Sequence, residues 1–157
     1  VCEGETMDLE AAGDVFVHDA KYRIEAQDSE EALLRTRHLK KTGALIAAAS
    51  SGASLYLSAQ QEQHFFPLFQ DFGINLGLLF QITDDILGVT STPEVLGKSV
   101  HLDEMKGVPT YVSVDGLDGA RALAEQAKTA ALQTREQFVE EANFLRALCE
   151  YVLTREK

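Results

Sequence analysis

The segment Phe80-Gln81-Ile82-Thr83-Asp84-Asp85-Ile86-Leu87-Gly88 sets two adjacent carboxylates inside an apolar run. On a helix, at about 100° per residue, Gln81, Asp84, Asp85 and Gly88 share one narrow stripe. Leu79, Ile82, Ile86 and Leu87 cover much of the remaining surface. Carboxylates on a largely apolar helix are costly unless something neutralises them. A divalent cation is one solution, because hard oxygen donors on a helix face suit Mg²⁺ that also bridges phosphates. Solvated acids at a helix end, or acids paired with lysine, are the commoner arrangement, and spacing alone leaves both open.

Two further segments carry polar chemistry. In Lys40-Lys41-Thr42-Gly43-Ala44-Leu45-Ile46, cations and a hydroxyl stand where a charged helix turns apolar. Such a cluster can hold an anion at the mouth of a helical bundle. A lysine snorkelling at a helix boundary is the ordinary alternative. Leu96-Gly97-Lys98, with Asp103, Thr110 and Tyr111, forms a polar stretch soon after the acidic stripe. It reads either as a surface connection or as a functional loop.

The elements that position these residues are helical. Residues 29–57 combine Leu33, Leu34, Leu39, Leu45, Ile46, Leu55 and Leu57 with many alanines, a strong helix composition. Asp28 followed by Glu31 reads as the capped start of that helix. A second long helix is expected from near Pro67 to Val89, with Phe69, Phe72, Leu76, Leu79, Phe80 and Ile86 on a broad apolar face. From Thr90 to Gly116 the periodicity fails, and Gly97, Gly107, Pro93 and Pro109 accumulate, which predicts an irregular loop. An alanine-rich helix is expected from Asp118 to about Phe138, and a last one from Asn143 to near Arg155. No run alternates long enough to form a sheet. The fold class is all-α.

The 157 residues suit one domain spanning 1–157. With 25 acidic and 14 basic side chains, the net charge of −11 excludes an ordinary nucleic-acid binder, which needs clustered cations. Any anionic ligand therefore depends on local cations or a bridging metal. Cys2 and Cys149, near opposite ends, make neither a disulfide framework nor a metal motif, and this suits a reduced, cytoplasmic setting. No signal peptide is visible, since the opening carries Glu3, Glu5 and Asp8. The uncharged stretch from Thr42 to Gln61 approaches membrane-spanning length, but its serines and glutamines predict a buried helix and no stable membrane insertion. The chain begins at Val1, as expected for a piece of something longer.

Taken in order, KTGALI, GLLFQITDDIL, LGK and D…TY resemble the C-terminal half of the trans-polyprenyl diphosphate synthases, especially short-chain farnesyl and geranyl diphosphate synthases of bacteria. The opening Cys2-Glu3-Gly4-Glu5-Thr6-Met7-Asp8-Leu9 is similar to that family's CGGQ-x-x-DL segment, and Leu148 to Lys157 resembles its terminal helix. The resemblance implies an isoprenoid-synthase helical bundle that joins isopentenyl diphosphate to an allylic diphosphate. It also implies Mg²⁺ held between two aspartate-rich motifs, where charge neutralisation stabilises the departing diphosphate. Asp84 and Asp85 match the start of the second motif, DDxxD, as metal ligands. Lys41 and Lys98 match lysines on the allylic diphosphate, and Thr42 and Gln81 match positions whose dipoles face the developing cation. Lys41, Thr42 and Gln81 are thus the implied catalytic groups.

The chain departs from the pattern at four positions. Gly88 stands for the third aspartate of the motif, Val108 for a further lysine, and Glu3 and Glu5 for a glycine and the glutamine of CGGQ. The family's first aspartate motif and its isopentenyl-diphosphate cations belong to an N-terminal half without counterpart in these residues. The isolated chain is therefore expected to be inactive, as a prenyltransferase fragment. A non-catalytic partner subunit and a degenerate helical interaction module are the alternatives. The intact protein is expected to form a homodimer, by analogy with the family.

Overall fold

The structure is a computed structural model that describes residues 1–11, 29–91, 108–133 and 143–156. Among these residues every regular element is helical. The order is α1 (Cys2–Ala11), α2 (Glu30–His38), a π-helical segment (Leu39–Gly43), α3 (Ala44–Gly52), a 3-10 turn (Ala53–Tyr56), α4 (Ala59–Thr90), α5 (Tyr111–Gln133) and α6 (Asn143–Thr154).

The expected helix over 29–57 is one helical run in several geometries. Its cap is Ser29, whose hydroxyl accepts the Ala32 amide at 3.2 Å; Asp28 lies outside the described residues. The π-helical turn falls on the Lys40-Lys41-Thr42 segment, and such bulges inside α-helices are frequent at functional sites. After Tyr56, Leu57 and Ser58 are extended and turn the chain into α4. The Thr42–Gln61 stretch is therefore not one spanning helix. Among the described residues, α4 is the helix long and apolar enough to cross a bilayer, with half of its most apolar window buried. It is packed as a core helix.

That helix starts eight residues before Pro67, because Ser58 and Gln61 close its first turn. The Ser58 amide and hydroxyl both donate to Gln61 Oε1, at 3.4 and 2.9 Å. Pro67 lies inside the helix, where it removes the amide that would serve the Gln63 carbonyl. Both residues are exposed, so water can meet the freed carbonyl.

The core forms on the two sides of α4. Phe72, Leu76, Leu79 and Ile82 are buried against the Ala120, Ala124, Ala127 and Ala131 stripe of α5, with Cys149 and Val152 from α6. Each fully buried leucine or isoleucine contributes roughly 1.5–3 kcal/mol, and the small alanines let the helix axes approach closely. Toward α3 the approach is closer still. A Cβ on Gly77 would lie 2.5 Å from the Gly43 Cα, so backbone meets backbone there. The π segment is thereby seated directly on α4.

The loop expected to reach Gly116 ends earlier. Thr110 and Ser113 exchange hydrogen bonds, Ser113 N to Thr110 Oγ1 at 3.1 Å and Thr110 N to Ser113 Oγ at 2.9 Å, and start α5 at Tyr111. Gly116, at φ 73° and ψ 169°, then breaks the helix in a conformation that favours glycine. Regular helix resumes near Asp118, where the sequence places it. α6 runs to Thr154, within a residue of expectation. Residues 134–142, which include the expected end at Phe138, lie outside the described set.

Candidate functional site

The Gly43–Gly77 contact fixes where the polar residues fall. From Gly77 down α4, Gln81, Asp84, Asp85 and Gly88 follow at helical spacing, so the acidic stripe begins beneath the π segment that carries Lys41 and Thr42. Gln81 is buried, Asp85 half-buried, and the Asp84 side chain 43% exposed. A Cβ on Gly88 meets nothing within 4 Å, so the stripe opens into free space at that end.

Asp85 does more than present charge. Its Oδ2 accepts the Tyr111 backbone amide at 2.8 Å, a donor left over at the start of α5. Tyr111 also lays its ring near that of His38, with centroids 5.4 Å apart. Arg37 donates to the Pro109 carbonyl. The Pro109-Thr110-Tyr111 strap therefore ties Asp85 on α4 to the end of α2. Burial pushes the Tyr111 phenol up to about 12, with Asp85 among the charges that add to the shift and Arg35 opposing it.

On the other side of α2 the cations meet α1. Lys41 Nζ donates to Asp8 Oδ2 and lies 4.0 Å from Glu5. Arg37 Nε lies 3.1 Å from Asp8 Oδ1, an ion pair without hydrogen-bond alignment, and Lys40 Nζ donates to Glu3 at 2.8 Å. Burial alone would lower the Lys41 pKa; the hydrogen bond and charge of Asp8, with Glu5, outweigh it and hold the ammonium above its ordinary value. His38 behaves oppositely. Burial, then Arg37 and Lys41, lower it to about 3 against the pull of Asp8, so the imidazole is neutral at neutral pH.

The far end of the chain returns to the acidic stripe. Arg155 stands over the Phe80 ring at 4.0 Å and donates to the Phe80 carbonyl at 3.3 Å and to Asp84 Oδ1 at 3.4 Å. Among the described residues, no group of three or more His, Cys, Asp and Glu is placed to hold a metal unaided.

Lys41, Thr42, Gln81, Asp84 and Asp85 therefore sit on two elements in direct backbone contact. Lys98, with Gly97 and Asp103, lies outside the described residues. Sequence reasoning missed Asp8, Arg37, His38 and Arg155 as neighbours of the site. Arg37 and Lys41 share a helix face at a spacing of four, a signal that a counter-charge was due. Nothing local in the sequence points to Arg155.

Residues 1–150 match the polyprenyl synthetase family, and the chain belongs to that family. It is 32% identical to farnesyl diphosphate synthase of Escherichia coli (strain K12), over 100% of this chain and 49% of that protein. It is 35% identical to a dimethylallyltranstransferase of Fischerella ambigua, over 82% of this chain and 37% of that protein. The chain thus spans half or less of these curated relatives. Among solved structures, a geranyltransferase from Helicobacter pylori, complexed with magnesium and isoprenyl diphosphate, superposes with a TM-score of 0.67 at 27% identity, covering 96% of this chain and 44% of that one. A polyprenyl synthase from Caulobacter crescentus gives a TM-score of 0.76 at 21% identity, over 99% of this chain and 56% of that one, and supports the all-α fold.

Proposed function

We propose that this chain is the second-motif half of a prenyltransferase that condenses isopentenyl diphosphate with an allylic diphosphate. The observation that carries the reading is the seating of Gly43 on Gly77. It supports the reading by bringing the segment that carries Lys41 and Thr42 against α4 one turn before Gln81. Asp84 and Asp85 would hold Mg²⁺. Two carboxylates suit a cation that keeps part of its hydration and shares substrate phosphates, and do not form a closed protein cage. Bound there, Mg²⁺ supplies charge neutralisation on the leaving diphosphate.

The remaining roles belong to side chains. Lys41 and Lys98 bind the allylic diphosphate as point charges, and the Thr42 hydroxyl and Gln81 amide turn their dipoles toward the developing carbocation. The wall of α4 around the stripe is apolar and suits a prenyl chain. The isolated chain is inactive, because one acidic wall leaves the metal–diphosphate cluster incomplete. Exposed Leu45, Leu55 and Tyr56 offer apolar surface for the rest of the polypeptide, and the intact protein pairs as a homodimer.

The test is turnover. The intact protein, given both diphosphates and Mg²⁺, is expected to release inorganic diphosphate, with losses of at least about a hundredfold for Asp84→Asn or Lys41→Ala. Undiminished turnover in both variants overturns the assignment. A second reading, a non-catalytic partner subunit, is favoured by Gly88 in place of a third carboxylate; it predicts a changed rate or product when the chain joins an active homologue.

A further inference from the structure

Lys41, proposed to bind diphosphate, is already paired inside the protein, and so is its neighbour Lys40. α1 rides directly on the π segment, since a Cβ on Gly4 would fall 2.6 Å from the Lys40 carbonyl carbon and closer still to the Lys41 backbone. Glu3 and Glu5 flank Gly4, and this contact delivers one carboxylate to each lysine: Glu3 to Lys40 at 2.8 Å and Glu5 to Lys41 at 4.0 Å. Asp8 serves differently. It is mostly covered and shared between Lys41 and the buried Arg37, so it belongs to the frame. Glu3 and Glu5 are 45% and 56% exposed, beside lysines that are themselves 40% and 31% exposed.

We propose that Glu3 and Glu5 act as charge selectors for this site, holding Lys40 and Lys41 against free diphosphate and admitting its magnesium complex. A metal-free diphosphate carries several negative charges and must displace the Glu5 carboxylate or sit beside it. The magnesium complex carries less charge, and the repulsion falls accordingly. The net charge of −11 acts in the same direction. Glu3 and Glu5 are thus affinity-setting residues, distinct from the groups that hold the ligand. The inference rests on the reading that Lys41 receives a diphosphate.

Calorimetry on the intact protein with inorganic pyrophosphate, in EDTA and then in Mg²⁺, tests it. The wild type is expected to bind the magnesium complex and to bind metal-free pyrophosphate much more weakly. The Glu3→Gln/Glu5→Gln variant is expected to tighten metal-free binding by about three- to tenfold, the range that two exposed ion pairs allow, and to change the magnesium complex less. Adding Lys41→Gln should erase that gain. Should the double variant unfold, Glu5→Gln alone carries the test, with about a threefold gain expected. Unchanged metal-free affinity, in a protein whose binding still falls with Lys41→Gln, overturns the selector role and leaves the site standing. Binding indifferent to both Lys41→Gln and Asp84→Asn overturns the site and the selector together.

Discussion

Asp85 accepts the backbone amide of Tyr111 at 2.8 Å across 26 positions of sequence, so a carboxylate proposed as a metal ligand also caps a helix. One of its oxygens is committed to the first amide of α5, where the helix dipole favours negative charge. The same strap carries the Pro109 carbonyl to Arg37 and the Tyr111 ring to His38. The acidic stripe is thereby in contact, through this strap, with the helix that precedes Lys41.

The two duties of Asp85 separate by substitution. Asp85→Ala leaves the amide of a buried residue without its acceptor, and about 1–2 kcal/mol of stability should be lost in urea unfolding. Asp85→Asn keeps an acceptor and should recover about half of that loss, while Mg²⁺-dependent diphosphate binding stays weakened. Equal stability losses in both variants would show that the cap contributes through charge alone.

Gly88 offers the reverse experiment. Its Cβ position is open, so Gly88→Asp can restore a third carboxylate without steric conflict. Metal affinity in the presence of pyrophosphate is expected to rise by roughly ten- to a hundredfold. The helix should tolerate the change: aspartate recovers only about 0.3 kcal/mol over glycine in helix propensity, and an acid in the last turn opposes the dipole by about 0.3–1 kcal/mol, so the net cost stays below about 1 kcal/mol. No rise in metal affinity would place the cation away from this end of the stripe.

His38 predicts an acid-sensitive fold. Its folded pKa of about 3 lies below the unfolded value of 6.5, so the unfolded chain binds more protons between those limits. The sign follows: stability rises with pH through that window, and the His38 contribution is complete above about pH 6.5. Falling from pH 8 to pH 5 should cost about 2 kcal/mol through this residue alone. Asp8, Arg37, Lys41 and Tyr111 surround the ring, and only Asp8 favours its protonation. His38→Gln should flatten the profile between pH 5 and 7; an unaltered slope would assign it to other groups.

The helices and the acidic stripe were legible because their signals are local. Apolar periodicity marks α4, alanine spacing marks α5, and Asp84-Asp85 stands out against apolar neighbours. Boundaries failed where short-range hydrogen bonds decided them. Ser58 with Gln61 starts α4 ahead of Pro67, and Thr110 with Ser113 starts α5 ahead of Gly116; at α2 the start near Ser29 held, with Ser29 itself as the cap. The spacing of Arg37 and Lys41 signals a counter-charge, but that it is Asp8, 33 residues away, was not legible. It depends on Gly4 letting one backbone lie on another, which composition and periodicity do not encode. Arg155 reaches Asp84 only through the docking of α6 on α4 and α5.

Asp84 and Asp85 are proposed to hold a cation on a diphosphate beside Lys41. A crystal structure of the intact protein with a non-cleavable allylic diphosphate analogue, and Mn²⁺ in place of Mg²⁺, tests it most directly. Anomalous density is expected against the Asp84 and Asp85 carboxylates, with Arg155 displaced from Asp84 and a diphosphate oxygen within hydrogen-bond reach of Lys41 Nζ. A fully occupied analogue whose diphosphate and metal lie away from both α4 and the π segment would contradict it.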